Sequence, residues 1–221
     1  MQHAPGRNRQ DGVSESALRL IPPSVPPLPE PSSLERAELR RKHHLPDGVP
    51  VWIYPGDLEF GGGAEIALQG FAAWNRSDAV LLMACRRKTP QADEALTHLR
   101  GQAWQWGIEP RVRWVGETRH IHELLALSDF VVMVNRTAYA KMDYPLVALE
   151  SMCLARPVLV GKGTPSAELA DDGRPLPASL LWRLPDRRAT EILSERFERG
   201  LAQAHVSQKP LLLRALQQPC R

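Results

Sequence analysis

Between residues 51 and 161, five short apolar runs, VWIY, AVLLMAC, VRWVG, FVVMV and PVLVG, alternate with longer segments of helical period. Runs rich in β-branched residues and free of polar alternation suit strands buried on both faces, and the intervening helices supply the cover. The pattern predicts an α/β fold: a Rossmann-like open parallel sheet of about six strands with helices on both faces. A sixth strand is expected around residues 180–184. Between the second and third runs, Leu96, Leu99, Ala103 and Trp106 fall three, four and three apart, one apolar stripe for docking on the sheet. Residues 186–205, DRRATEILSERFERGLAQAH, read as a closing helix with an aspartate at its start.

The chain before this pattern has a different character. Nine of the twenty prolines fall within the first fifty residues, concentrated in IPPSVPPLPEP, which favours extended backbone and forms neither helix nor central strand. This stretch reads as a linker or a wrapped arm. SSLERAELRRKHHLPDG then has a serine cap at Ser32 or Ser33, an acidic first turn, a basic end and a Pro and Gly stop, the marks of a short helix. Its cluster of Arg40, Arg41, Lys42, His43 and His44 reads as a solvated helix end, with a peripheral contact to an anionic membrane surface as the alternative. The expected organisation is an arm and basic helix over residues 1–50, a Rossmann-like domain over 51–185 and a helical extension over 186–221.

Composition narrows the function classes. A formal charge of +3 is too small to argue for nucleic acid, and no interleaving of aromatic and basic residues offers a base-stacking surface. No run approaches the roughly 20 apolar residues of a bilayer span, and the N-terminus lacks the apolar core of a secretory signal. Cys85, Cys153 and Cys220 lack metal-ligand spacing and read as free thiols of a reducing compartment, so the expected location is the cytoplasm. The HIH run at His120 to His122 reads as a helix start rather than a ligand set, with no carboxylate or cysteine at useful sequence spacing.

In an open parallel sheet, ligands bind at the carboxyl ends of the strands where the connections diverge. Three loops there carry candidate chemistry. In YPGDLEFGGGAE, Gly61, Gly62 and Gly63 open a helix; they either let the backbone approach a phosphate or serve tight packing. CRRKTP places Arg86, Arg87 and Lys88 after the second strand, as counter-charges for a diphosphate or as a solvated turn. The third, TAYAKMDYPLVALESMCLARPVLVGKG, sets Glu150 among small apolar residues on a helix over residues 146–154. A carboxylate there must find a partner or lie at an open edge.

The order PGDLEF and GG, RVRWVGE, HELLALSDFVVMV, KMDYPLVALESM, RPVLVG and TPSAEL, over residues 21–173, resembles the donor-binding C-terminal half of a GT-B glycosyltransferase of the family 4 kind. LRLIPPSVP resembles the interdomain crossover that precedes this half. The resemblance implies a donor site made of Gly61, Gly62, Gly63, Arg86, Lys88, Gly116, Glu117, Lys141, Met142, Asp143, Tyr144, Pro145, Leu146 and Glu150. Glu150 matches the family glutamate whose carboxylate holds the donor ribose, Val115, Gly116 and Glu117 match the nucleobase region, and residues 164–168 match a loop over the donor. Three positions depart from the pattern: Met142 replaces the glutamate that contacts the donor sugar, Asp57 stands at the phosphate-binding arginine, and Gly62 at the lysine.

What the resemblance implies is transfer of a sugar from a nucleoside diphosphate sugar, with retention at the anomeric carbon and no required metal or other cofactor. Lys141 is the expected cation for the departing diphosphate. The acceptor and the usual catalytic histidine come from the other GT-B half, so an acceptor-domain protein is the expected partner beside the nucleotide-sugar. Two readings stand beside this one: a non-catalytic binding or structural module descended from such a domain, and an unrelated nucleotide-binding α/β protein such as a sugar epimerase.

Overall fold

The computed structural model describes residues 23–74, 76–134, 145–161 and 181–182. The five apolar runs become parallel strands β1 (Val51–Tyr54), β2 (Val80–Met83), β3 (Val112–Trp114), β4 (Phe130–Met133) and β5 (Val158–Gly161), and β6 (Leu181–Trp182) completes the sheet. The strand order is β3-β2-β1-β4-β5-β6, with every pairing parallel. The chain moves from β1 outward to β3, then returns to lay β4 on the other side of β1. The reversal opens a crevice between β1 and β4 at their carboxyl ends.

Every residue of β1 is buried, because each face of the strand has its own helical layer. Trp52 and Tyr54 join one apolar cluster with α2 (Gly63–Trp74) and α3 (Ala92–Gln105), while Val51 and Ile53 join a second with α4 (Ile121–Leu127) and residues of α5 (Leu146–Cys153) and its C-cap. In the first layer Trp52 stacks on Trp74 at 4.9 Å and meets Phe71 edge-on at 5.6 Å. On α3 the expected stripe holds at Leu96, Leu99 and Ala103 but not at Trp106, which caps the helix and stays 38% exposed. The chain leaves helical geometry at that residue, and Ile108 enters the core instead.

Helix α1 (Ser33–Lys42) begins with Ser32, whose hydroxyl accepts from Glu35 N while the Glu35 carboxylate accepts from Ser32 N, a reciprocal capping box. Its basic end is not simply solvated. Arg40 is only 8% exposed and donates to Asp129 Oδ2 (2.7 Å), Val49 O and Leu127 O, while Arg36 donates to Asp129 Oδ1. Lys42 and His43 meet Glu123 on α4. Arg41 and His44 do face solvent. The helix thus docks on the second layer through charge as well as through Leu39, and the preceding Pro-rich stretch contributes Leu28 to the same cluster. Glu30 lies 3.6 Å from the buried Arg156. The expected closing helix and residues 162–180 fall outside the described residues.

Candidate functional site

At the carboxyl end of β1 the chain turns sharply. A Cβ at Gly56 would lie 2.4 Å from the Tyr54 ring, so only glycine fits beneath it. Gly61 and Gly62 then take left-handed φ of 73° and 64°, and Ile66 N donates to Gly62 O to start α2. An ordinary residue is strained by about 1–2 kcal/mol in that region. These glycines are therefore what allow α2 to open directly over the sheet edge. The first-turn amides have no acceptor within the helix, and its dipole places partial positive charge there, a combination suited to an anion.

The loop after β2 is stitched to this one. Tyr54 pairs with Met83 in the sheet, and three residues further along both chains Asp57 and Arg86 form a parallel bridge. Asp57 is 2% exposed and lies 3.1 Å from Arg86 Nη2 and 3.2 Å from Lys88 Nζ. Glu59 accepts from Lys88 N, Thr89 N and Thr89 Oγ1. Burial opposes the charge of Glu59, but the bonds from Lys88 and Thr89 hold its carboxyl below the usual range. Arg86 and Lys88 are thus at the expected edge but not simply in solvent: both are anchored on a buried carboxylate. Arg87 pairs with Asp93 instead. Cys85 is packed beside this network; burial first, then the charges of Asp57 and Glu59, push its thiol up to about 12.

Gly116, with φ of 75°, ends the extension of β3, and its amide and that of Val115 both donate to Met83 O. This turn lies at the same sheet edge, two strands from the crevice, with Glu117 exposed.

On the other side of the crevice, α5 begins after Pro145, whose carbonyl accepts from Ala148 N. Ala148 and Ser151 turn into the protein, Leu146 remains exposed, and Glu150 is partly covered, its side chain 18% exposed. Its Oε1 lies 3.1 Å from His122 Nε2 on α4. The partner of this carboxylate is therefore a histidine from the neighbouring helix, and the HIH run does have carboxylate partners in space, since His120 lies 3.2 Å from Glu123. Of the two, His120 and Glu123 stand three apart, a spacing the helix start brings together, whereas no spacing expresses the contact of His122 with Glu150. The clue to that contact was topological: α4 and α5 flank β4 on one sheet face, with both N-termini at the carboxyl edge. Lys141, Met142, Asp143, Tyr144 and the loop at 164–168 lie outside the described residues.

Among the described residues no group of three or more His, Cys, Asp or Glu side chains is gathered for a metal ion, and no helix is long and apolar enough to cross a membrane. The edge offers helix N-termini, a glycine turn, tethered cations and, in Glu150, a partly covered carboxylate paired with histidine. Such a set has the chemistry to hold an anion bearing hydroxyl groups.

Comparison with known proteins agrees with this architecture. The family model described as "Glycosyl transferases group 1" matches residues 49–194. HepE of Anabaena, solved in complex with UDP and glucose, is 19% identical with a TM-score of 0.65, over 79% of this chain and 45% of HepE. WaaG, a glycosyltransferase involved in lipopolysaccharide biosynthesis, is 20% identical with a TM-score of 0.63, over 88% of this chain and 50% of WaaG. The C-terminal domain of LpcC from Francisella tularensis is 15% identical with a TM-score of 0.52, over 77% of this chain and 84% of that domain. The chain thus spans half or less of HepE and WaaG but most of the isolated domain. No curated protein sequence matches it. The extent of the family match, together with the 3-2-1-4-5-6 sheet, establishes that the chain belongs to the group 1 glycosyl transferases and carries the Rossmann-like fold of one GT-B half.

Proposed function

We propose that the chain binds a nucleoside diphosphate sugar at the carboxyl edge between β1 and β4 and serves as the donor half of a retaining glycosyl transferase. The observation that carries this reading is the placing of two helix starts at the carboxyl edge, one after each crevice strand: α2 after Gly61 and Gly62 on one side, α5 with Glu150 on the other. In the transfer, the bond between the anomeric carbon and the diphosphate oxygen breaks, and the electron pair leaves with the diphosphate. The acceptor hydroxyl bonds to that carbon on the face the diphosphate leaves and passes its proton to an oxygen of the departing diphosphate. The demand on this half is to stabilise the departing charge, which first-turn amides, helix dipoles and a cation do without a metal. Lys141 is the cation assigned to that task, and Glu150 holds the ribose hydroxyls. HepE has been solved with UDP, which makes UDP the first nucleotide to try.

Because the chain spans less than half of HepE, turnover requires an acceptor-binding half, joined in a longer polypeptide or supplied as a separate subunit. Cytoplasmic placement belongs to the same proposal. Against turnover stands one specific observation: Asp57 places a carboxylate where the family carries a phosphate-binding cation, and it engages Arg86 and Lys88. This favours, as the second reading, a module that binds a nucleotide-sugar without transferring it.

Calorimetric titration with UDP, GDP and ADP, each with and without its common sugars, tests the binding. Saturable binding of one nucleotide, weakened in Glu150→Gln, supports the donor site. A folded chain that binds none of them refutes it. Transfer on addition of an acceptor half separates the enzyme from the module.

A further inference from the structure

We propose that His122 is a positioning residue for the nucleotide's ribose: by pairing its Nε2 with one oxygen of Glu150, it fixes the carboxylate so that the other oxygen faces the vicinal hydroxyls. This rests on the ribose reading of Glu150 and adds to it a residue that no motif suggested.

His122 Nε2 lies 3.1 Å from Glu150 Oε1, and an ionised carboxylate only accepts hydrogen bonds, so this nitrogen serves the carboxylate in the form that carries its proton there. Glu123, the neighbour of His122 in the chain, has partners of its own in Lys42, His43 and His120. The pair bridges α4 and α5 at the edge where the crevice opens. His122 is itself 53% exposed, so the contact adds little to overall stability. Its effect is on geometry. Glutamate is among the most rotamer-rich side chains, and a carboxylate already held in one orientation loses less freedom when a ligand arrives. With one oxygen engaged by imidazole, the remaining acceptor sites of Glu150 are directed to donors on the ligand, which is what a pair of ribose hydroxyls presents.

The test is a cycle between protein and ligand: affinities of wild type, His122→Ala, His122→Gln and Glu150→Gln for the best-bound nucleoside diphosphate and for its 2′,3′-dideoxy form. His122→Ala is expected to weaken the ribonucleotide about three- to tenfold, the scale of freeing one long side chain. The dideoxy form should be unaffected. His122→Gln, whose amide nitrogen stands near the place of Nε2, should recover most of the loss, and the thermal midpoint should barely move in either variant. Equal weakening of both ligands by His122→Ala, or no weakening of either, overturns the proposal while leaving Glu150 as the ribose ligand. No change in ribose preference in Glu150→Gln overturns the ribose reading itself.

Discussion

Asp129 immediately precedes β4, and three donors from two elements, α1 and β1, converge on its side chain. Oδ1 accepts from Arg36 (2.5 Å), Oδ2 from Arg40 (2.7 Å) and from the amide of Val51 (2.7 Å) at the start of β1, while Asp129 N donates back to Val51 O. Replacing it with alanine removes all three side-chain bonds and leaves Arg40, whose side chain is 10% exposed, with carbonyl partners alone. An exposed ion pair is worth about 0.2–1 kcal/mol, whereas breaking a fully buried one costs about 3–5 kcal/mol. The Asp129 carboxylate is about one-fifth exposed, which places Asp129→Ala between these limits, at about 2–3 kcal/mol. For a chain of this size that corresponds to a fall in Tm of about 4–12 °C. Urea unfolding at unchanged m-value measures it. Arg40→Met, and the double variant, complete a cycle in which the coupling should be at least about 1 kcal/mol. A loss under about 0.5 kcal/mol, the range of ordinary surface substitutions, would refute the idea that α1 is clamped to the sheet by this node.

Other outcomes follow from the same geometry. Glu123, held first by the Lys42 ammonium and then by His43 and His120, has its pKa lowered from 4.5 to about 2. Since the folded value lies below the unfolded one, its stabilisation is complete above the ordinary carboxylate range and is lost as pH falls toward 2. Urea midpoints between neutral pH and pH 3 should therefore fall less steeply in Glu123→Gln than in wild type; parallel curves contradict this. Cys85 is buried with its thiol pushed up to about 12, whereas Cys153 is partly exposed, so a thiol reagent at mildly alkaline pH should modify Cys153 well before Cys85 in the native protein. Peptide mapping gives the order. Gly62→Ala forces a side chain into left-handed backbone and should cost about 1–2 kcal/mol, read from the urea midpoint, with weaker nucleotide binding if the turn also shapes the anion site.

The sheet was legible because strands covered on both faces admit no polar alternation, and the runs at residues 51–54, 80–83, 112–114, 130–133 and 158–161 show none except at Arg113, on the edge strand β3. The Ser32 cap was legible because it is local chemistry. What escaped was tertiary. Arg40 carries the marks of a solvated helix end, and only its partner 89 residues away turns it inward. Trp106 fits the periodic stripe, but the helix stops at that residue. His122 and Glu150 meet because two crossovers return on one face of the sheet, a relation no sequence spacing expresses. The tie between Asp57 and Arg86 was closer to reach: each lies three residues beyond a β1–β2 pair, so extending the parallel register brings them together.

The central claim, a nucleotide site in the crevice between β1 and β4, is tested most directly by amide chemical-shift mapping of the labelled chain with UDP, GDP and ADP in turn. Saturable shifts are expected for one nucleotide at Gly62, Gly63 and Ala64 on one side and at Leu146, Val147 and Glu150 on the other. Saturable shifts confined to α1 or α3, or none with any nucleotide, would contradict it.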